Sequence, residues 1–288
     1  MLITVFTPTY NRAYRLNTLY ESLCKQSFAD FEWLIVDDGS SDNTEALVDG
    51  WLKDNKINIR YFRQPNGGKH RAINRGVERA LGLLFFIVDS DDILPPNSLE
   101  IISNHYQMIK NRPQFGGLCG LKAYYDGKSV GNKPDFGVYE CTNFEIDYKY
   151  KLKGDMAEVF YTSVLKEFPF PEIEGERFCP EILIWNRIST KYIIHYFSEN
   201  IYNCEYLEDG LTAKITRIRI ESPIASCMTY ADMVQAPIPF WAKARAAINY
   251  WRFAHYLEKK KRPSLSFMWR VLNPVGYLIN RIEANKTT

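Results

Sequence analysis

Apolar residues recur along this chain in two rhythms, and their alternation sets out an architecture. Short runs at residues 2–6, 31–36, 57–62 and 83–88 are rich in β-branched and aromatic side chains and read as strands. Between them the spacing changes. Leu16, Leu19, Tyr20 and Leu23 share one face of a helix expected over 13–25. Asp42-x-x-Glu45 resembles a capping box opening a helix to about residue 54. Further helices are expected over 69–81, and from Pro95-Pro96 to about 110. Repeated strand–helix units of this length predict an α/β fold with a mostly parallel, doubly wound sheet.

Beyond residue 115 the pattern loosens. Residues 115–125 read as a strand, and turn-rich segments follow at Asp126-Gly127 and 131–137. Pro180 suits the first turn of a helix reaching Ile188, and from Ala242 the chain reads as helical, aromatic and basic. We divide the chain into 1–125, 126–237 (expected to be the second half of the same domain) and a C-terminal extension, 238–288.

Hydrophobic residues make up 46% and charged residues 24%, which excludes a disordered chain. The net charge of +2 gives no case for nucleic acid, but ten of the basic residues and only two acidic ones lie in 238–288. Aromatics interleaved with Lys259-Lys260-Lys261-Arg262 suit an anionic membrane surface; packing back onto the protein is the alternative. Six scattered cysteines without a CxxC or a Cys/His spacing point to free thiols in a reducing compartment rather than zinc. With no signal-peptide pattern at Met1 and no membrane-length apolar run, a cytoplasmic location is expected, peripheral to the membrane if the tail binds it.

Four clusters carry candidate chemistry, each at a strand end or helix start. Thr7-Pro8-Thr9-Tyr10-Asn11-Arg12 closes the first strand, and its hydroxyls suit a base and ribose. Val36-Asp37-Asp38-Gly39-Ser40-Ser41-Asp42 brings two adjacent carboxylates where a turn needs one. In Asn66-Gly67-Gly68-Lys69 the glycines admit close approach of a ligand, and the following helix offers N–H groups to an anion. Asp89-Ser90-Asp91-Asp92 packs three carboxylates so tightly that a proton, a basic partner or a hard cation must neutralise them. Alternation would put Asp89 and Asp91 on one face. Read singly, each also fits an ordinary turn or cap. Further along, Glu176 and Glu181 are candidate general bases, although a first-turn Glu equally serves the helix dipole.

Taken in order, these motifs resemble the family 2 glycosyltransferases of the GT-A fold, over residues 2–125 strongly and 150–215 loosely. The resemblance implies inverting transfer of a sugar from a nucleotide sugar, UDP-linked by preference, to a glycan or lipid-linked saccharide, with Mn²⁺ or Mg²⁺ as cofactor. It implies donor contacts at Thr7, Thr9, Asp37, Asp38, Gly68, Lys69, Asp89 and Ser90, and metal ligands at Asp91 and Asp92. Glu181 stands where the family more often has Asp, with Glu176 as the competing base; Asp155 and the segment Tyr206-Leu207-Glu208-Asp209-Gly210 would lie on the acceptor side. A sugar-phosphate nucleotidyltransferase would place a Gly-rich basic loop after the first strand, where this chain has Thr-Pro-Thr-Tyr-Asn-Arg. A non-catalytic nucleotide-sugar-binding subunit would not need the Asp89/Asp91 pair.

Overall fold

The four short runs assemble as strands of one sheet. In the computed structural model, which describes residues 1–132, 136–205 and 214–287, they are β1 Ile3–Thr9, β2 Phe31–Asp37, β3 Ile59–Arg63 and β4 Leu84–Ile87. They are joined by β5 Phe115–Tyr124, β6 Val138–Cys141, β7 Met156–Tyr161 and β8 Ile193–Cys204. The order is β3-β2-β1-β4-β7-β5-β8-β6. β1 to β4 run parallel, as does β5 with β8; β7 lies antiparallel to β4 and β5, and β6 antiparallel to β8.

Strand β1 runs through Pro8 to Thr9 rather than stopping before it. The Phe6 carbonyl accepts from Val88 N–H, so Pro8, two residues on, turns its missing donor to the β4 side, where pairing has already ended. Helices α1 Ala13–Cys24, α2 Thr44–Asp54, α3 Lys69–Arg79 and α4 Ser98–Ile109 follow β1 to β4. α2 lacks the expected capping box. Asp42 instead accepts from the Thr44 N–H and hydroxyl with one oxygen, and from Ala13 N–H of α1 with the other. The short helices α5 Asn143–Tyr148 and α6 Thr162–Glu167 flank β7.

Under the sheet, Trp33 stacks with Tyr20 at a ring separation of 6.1 Å and lies tilted against Trp51 at 5.4 Å, in a core that continues through Leu16, Val48 and Leu84 to Phe197. Across the other face, Gly76 of α3 lies so close to Phe6 that a Cβ there would collide with its ring. All six cysteines are free thiols, and only Cys24 is exposed.

The chain divides into two compact units, Met1–Pro169 with Lys191–Tyr206, and Phe170–Thr190 with Leu207–Thr288. The whole sheet belongs to the first, so the 126–237 stretch is shared between them. The second unit contains α7 Glu181–Ile188, α8 Ile215–Glu221, α9 Pro223–Gln235, α10 Phe240–Ala254 and α11 Asn273–Thr287. Among the described residues no helix is long and apolar enough to cross a membrane.

Candidate active site

Three of the four N-terminal clusters are knitted together at the carboxyl ends of β1 and β2, where an open α/β sheet receives its ligands. Asn11 adopts a positive φ of 52°, which Asn tolerates well. Its N–H donates to Ser40 Oγ at 2.9 Å, and its side-chain oxygen accepts from Ser41 N–H at 2.8 Å. The β1–α1 and β2–α2 loops are thereby pinned to each other.

The adjacent aspartates have separate tasks. Asp37, fully buried, accepts from Ser40 N–H at 2.7 Å and from the Tyr61 hydroxyl at 2.6 Å, which shapes its own turn. Asp38 reaches across to the glycine loop. One oxygen accepts from Gly67 N–H at 2.9 Å and Gln64 Nε2 at 2.7 Å; the other accepts from Gly68 N–H at 2.7 Å and Asn66 Nδ2 at 3.2 Å. Four donors on one carboxylate fix the loop that leads into α3. Gly39 in between has φ +85°, and a Cβ there would meet the Asn66 backbone nitrogen.

Gly68 (φ +98°) leads into α3, whose first residue is Lys69. Lys69 Nζ lies 2.6 Å from Asp89 Oδ1. Strand β4 ends at Ile87, and the Asp-rich segment is a turn closed by Asp92 N–H on the Asp89 carbonyl at 3.2 Å. The expected strand alternation therefore does not govern these carboxylates. Burial opposes ionisation of Asp89, but Lys69 and the half-buried Lys122 outweigh it and hold its carboxyl below the ordinary range. Asp91 is pushed upward by burial and by the charge of Asp89. Its carboxylate has no ion-pair partner among the described residues.

Asp92 turns inward and is buried. Its carboxylate accepts from the Tyr202 hydroxyl at 2.7 Å, and burial together with Asp89 raises it to about 7. The same Tyr202 oxygen accepts from Asp89 N–H at 3.0 Å, so one phenol ties both ends of the turn. Tyr125 adds a hydrogen bond from its hydroxyl to the Asp91 carbonyl at 2.9 Å. Tyr202, Lys122 and Tyr125 were not legible as site residues, because nothing local marks a residue whose partner lies more than thirty positions away, or in the case of Tyr202 more than a hundred. Asp155, in the same unit, adds its charge to those that keep Lys122 protonated.

The remaining donor-side candidates are also placed. Thr7 Oγ1 accepts from Trp33 Nε1 at 2.9 Å, whereas Thr9 Oγ1 is buried without a hydrogen-bond partner. Ser90 is buried in the turn. In the second unit, Glu176 accepts from Ile224 N–H at 2.6 Å and Ala225 N–H at 2.9 Å, capping the start of α9. Burial raises its carboxyl, and those two N–H groups hold it back part of the way. Glu181 opens α7 behind Pro180. Residues 206–210 lie outside the described residues.

The profile of the family described as Glycosyl transferase family 2 matches residues 4–131. A glycosyltransferase named GlyG from Streptococcus pneumoniae is 30% identical over 217 residues, covering 70% of this chain and 69% of that protein. This chain belongs to glycosyltransferase family 2. A GalNAc(5)-diNAcBac-PP-undecaprenol beta-1,3-glucosyltransferase of Campylobacter jejuni is 33% identical over 220 residues, covering 73% of this glycosyltransferase and 67% of the relative. The fold matches that of S. aureus TarS (residues 1–349, solved with UDP-GlcNAc) with a TM-score of 0.63 and 22% identity, over 89% of this chain and 72% of that one.

Proposed function

We propose that this glycosyltransferase moves a sugar, with inversion, from a UDP-sugar to a hydroxyl of a glycan or lipid-linked saccharide, at the cytoplasmic face of a membrane. One observation carries the donor side. The Asp38-braced loop delivers Lys69 to Asp89, and beside that ion pair stands Asp91, a carboxylate without an ion-pair partner among the described residues, which feels the more distant charges of Arg12 and Lys69. Thr9, with its buried unpartnered hydroxyl, is the polar group available to a nucleoside at the end of β1. The acceptor class is supported by the Campylobacter relative, named for an undecaprenol-linked saccharide.

The residues fit a hard divalent cation. Among the described residues no three acidic, His or Cys side chains are placed to enclose a metal. Mg²⁺-type sites need only one or two carboxylates when substrate phosphates complete the shell. We assign that role to Asp91 with Asp89, because Asp92 is committed to Tyr202. A cation bound there would neutralise the diphosphate and the charge that grows on it as it leaves.

On the protein side, Lys69 holds Asp89 ionised and oriented. Glu181 is the proposed base. It would take the proton of the acceptor hydroxyl as that oxygen bonds to the anomeric carbon and the bond to the diphosphate breaks, the electron pair leaving with UDP. The capping role of Glu176 supports choosing Glu181. Calorimetric titration of UDP tests the donor half: binding should strengthen with Mn²⁺, and Asp91→Ala should abolish the metal-dependent part. UDP that fails to bind, or binds identically to Asp91→Ala with and without Mn²⁺, would overturn the assignment. Glu181→Gln should bind UDP normally and lose about 10²–10⁴-fold in turnover.

A further inference from the structure

An amphipathic helix in a folded protein usually turns its apolar side inward. The C-terminal helix of this chain departs from that rule. α11 is held largely through polar groups and a glycine. Asn273 meets His255 at 2.7 Å, Asn280 donates to the Arg252 carbonyl at 3.0 Å, and Glu283 pairs with Arg252 at 2.7 Å. Gly276 lies so close to Trp251 that a Cβ would collide with it. Ile279 is half-buried and Tyr277 meets the His255 ring edge-on at 5.0 Å, but Val275, Leu278 and Ile282 lie elsewhere on the circumference. Val271, just ahead of the helix, is followed by Val275, Leu278 and Ile282 at intervals of four, three and four, the spacing of a continuous helical stripe. These four and Phe267 are between 44% and 78% exposed.

A contiguous apolar stripe on a surface marks an interaction site. The charge around it selects the occupant. Arg270 and Arg281 are exposed along the same segment, and the run Lys259–Lys261 is exposed just before it. A second copy joined through this stripe by two-fold symmetry would set the same basic surface against itself. An apolar stripe with exposed arginines along it and exposed lysines shortly before it in the chain is instead what an interfacial helix presents to anionic lipid.

We propose that the exposed face of residues 267–282 docks onto an anionic membrane surface, with Val271, Val275, Leu278 and Ile282 entering the acyl boundary and the basic residues meeting the headgroups. This deepens the membrane-facing part of the proposed function but is read out without donor or acceptor. Flotation of the full chain with phosphatidylcholine vesicles, with and without phosphatidylglycerol, tests it. Association with the phosphatidylglycerol vesicles is expected, weakening as salt screens the charges. The double variant Val275→Glu, Leu278→Glu should bind at least about tenfold more weakly, as should Lys259→Glu, Lys260→Glu, Lys261→Glu. Circular dichroism and UDP titration verify that both variants are folded. Equal binding to both vesicle types, no binding, or concentration-dependent self-association abolished by the same substitutions would overturn the proposal. Failure of the transferase reading would show instead in the UDP titration.

Discussion

A single phenol does much to set the geometry of the Asp-rich turn. Tyr202 donates to Asp92 and accepts from Asp89 N–H, so it holds the turn that presents Asp91. Removing the hydroxyl leaves a buried carboxylate and a backbone N–H each short of a partner, at a cost of about 1–3 kcal/mol. Tyr202→Phe should lose stability of that order in urea denaturation and weaken metal-dependent UDP binding. A variant with unchanged stability would show that the turn holds itself. Asp38 carries a heavier load, since four donors converge on it. In Asp38→Asn the amide nitrogen can no longer accept, and two of those donors are stranded. The loop carrying Gly67 and Gly68 should loosen, lowering UDP affinity more than tenfold if the loop shapes the donor site, as calorimetry would measure.

At the scale of elements, a helix start shows what one candidate carboxylate does. Glu176 spends both oxygens on the first N–H groups of α9, a cap whose loss typically costs about 1–2 kcal/mol. Glu176→Ala should therefore lower the unfolding midpoint, with Glu176→Gln intermediate, while turnover of the folded variants stays within a few-fold of wild type. A loss of turnover beyond a hundredfold at unchanged stability would transfer the proposed role of base from Glu181 to Glu176. Local pattern sets what the sequence could reveal. β1, β2 and β4 are legible because strands buried on both faces are dominated by apolar residues, and β3, only partly buried, because Ile59, Tyr61 and Phe62 still mark a strand between two helix patterns. β8 is not: Ile-Ile-His-Tyr-Phe-Ser-Glu-Asn-Ile-Tyr-Asn-Cys mixes apolar and polar residues, and its pairing with β5 shifts register three times. β6 and β7 are short strands set by antiparallel partners distant in sequence, so local pattern carries little of them. The four N-terminal clusters were recognisable as types and in order. Which aspartate braces a loop, which pairs with Lys69 and which turns inward depended on partners that only folding brings near.

At the scale of the whole sheet-bearing unit, stability should carry the mark of one buried histidine pair. His105 on α4 and His195 on β8 share a hydrogen bond of 2.9 Å, flanked by the rings of Phe115 and Phe197. A bond between two imidazole nitrogens needs one of them to remain an acceptor, which opposes double protonation. Burial, then the charge of His105, lowers His195 below its ordinary value, although Glu140, itself paired with Arg112, pulls the other way; Glu199 lies on the far side of His105. The sign follows. Above the unfolded value of about 6.5 both states are neutral at this site and stability is complete. As pH falls below it the unfolded chain takes up the proton first, and stability declines until the folded state titrates too. The difference in unfolding free energy between wild type and His195→Gln should therefore narrow from pH 7.5 to pH 5, since the variant cannot charge there. Because β8 joins β5 to β6 and α4 packs beside it, the loss should appear in global unfolding rather than in local fraying. A constant difference across that range would mean that His195 charges in place, in the folded protein, without cost.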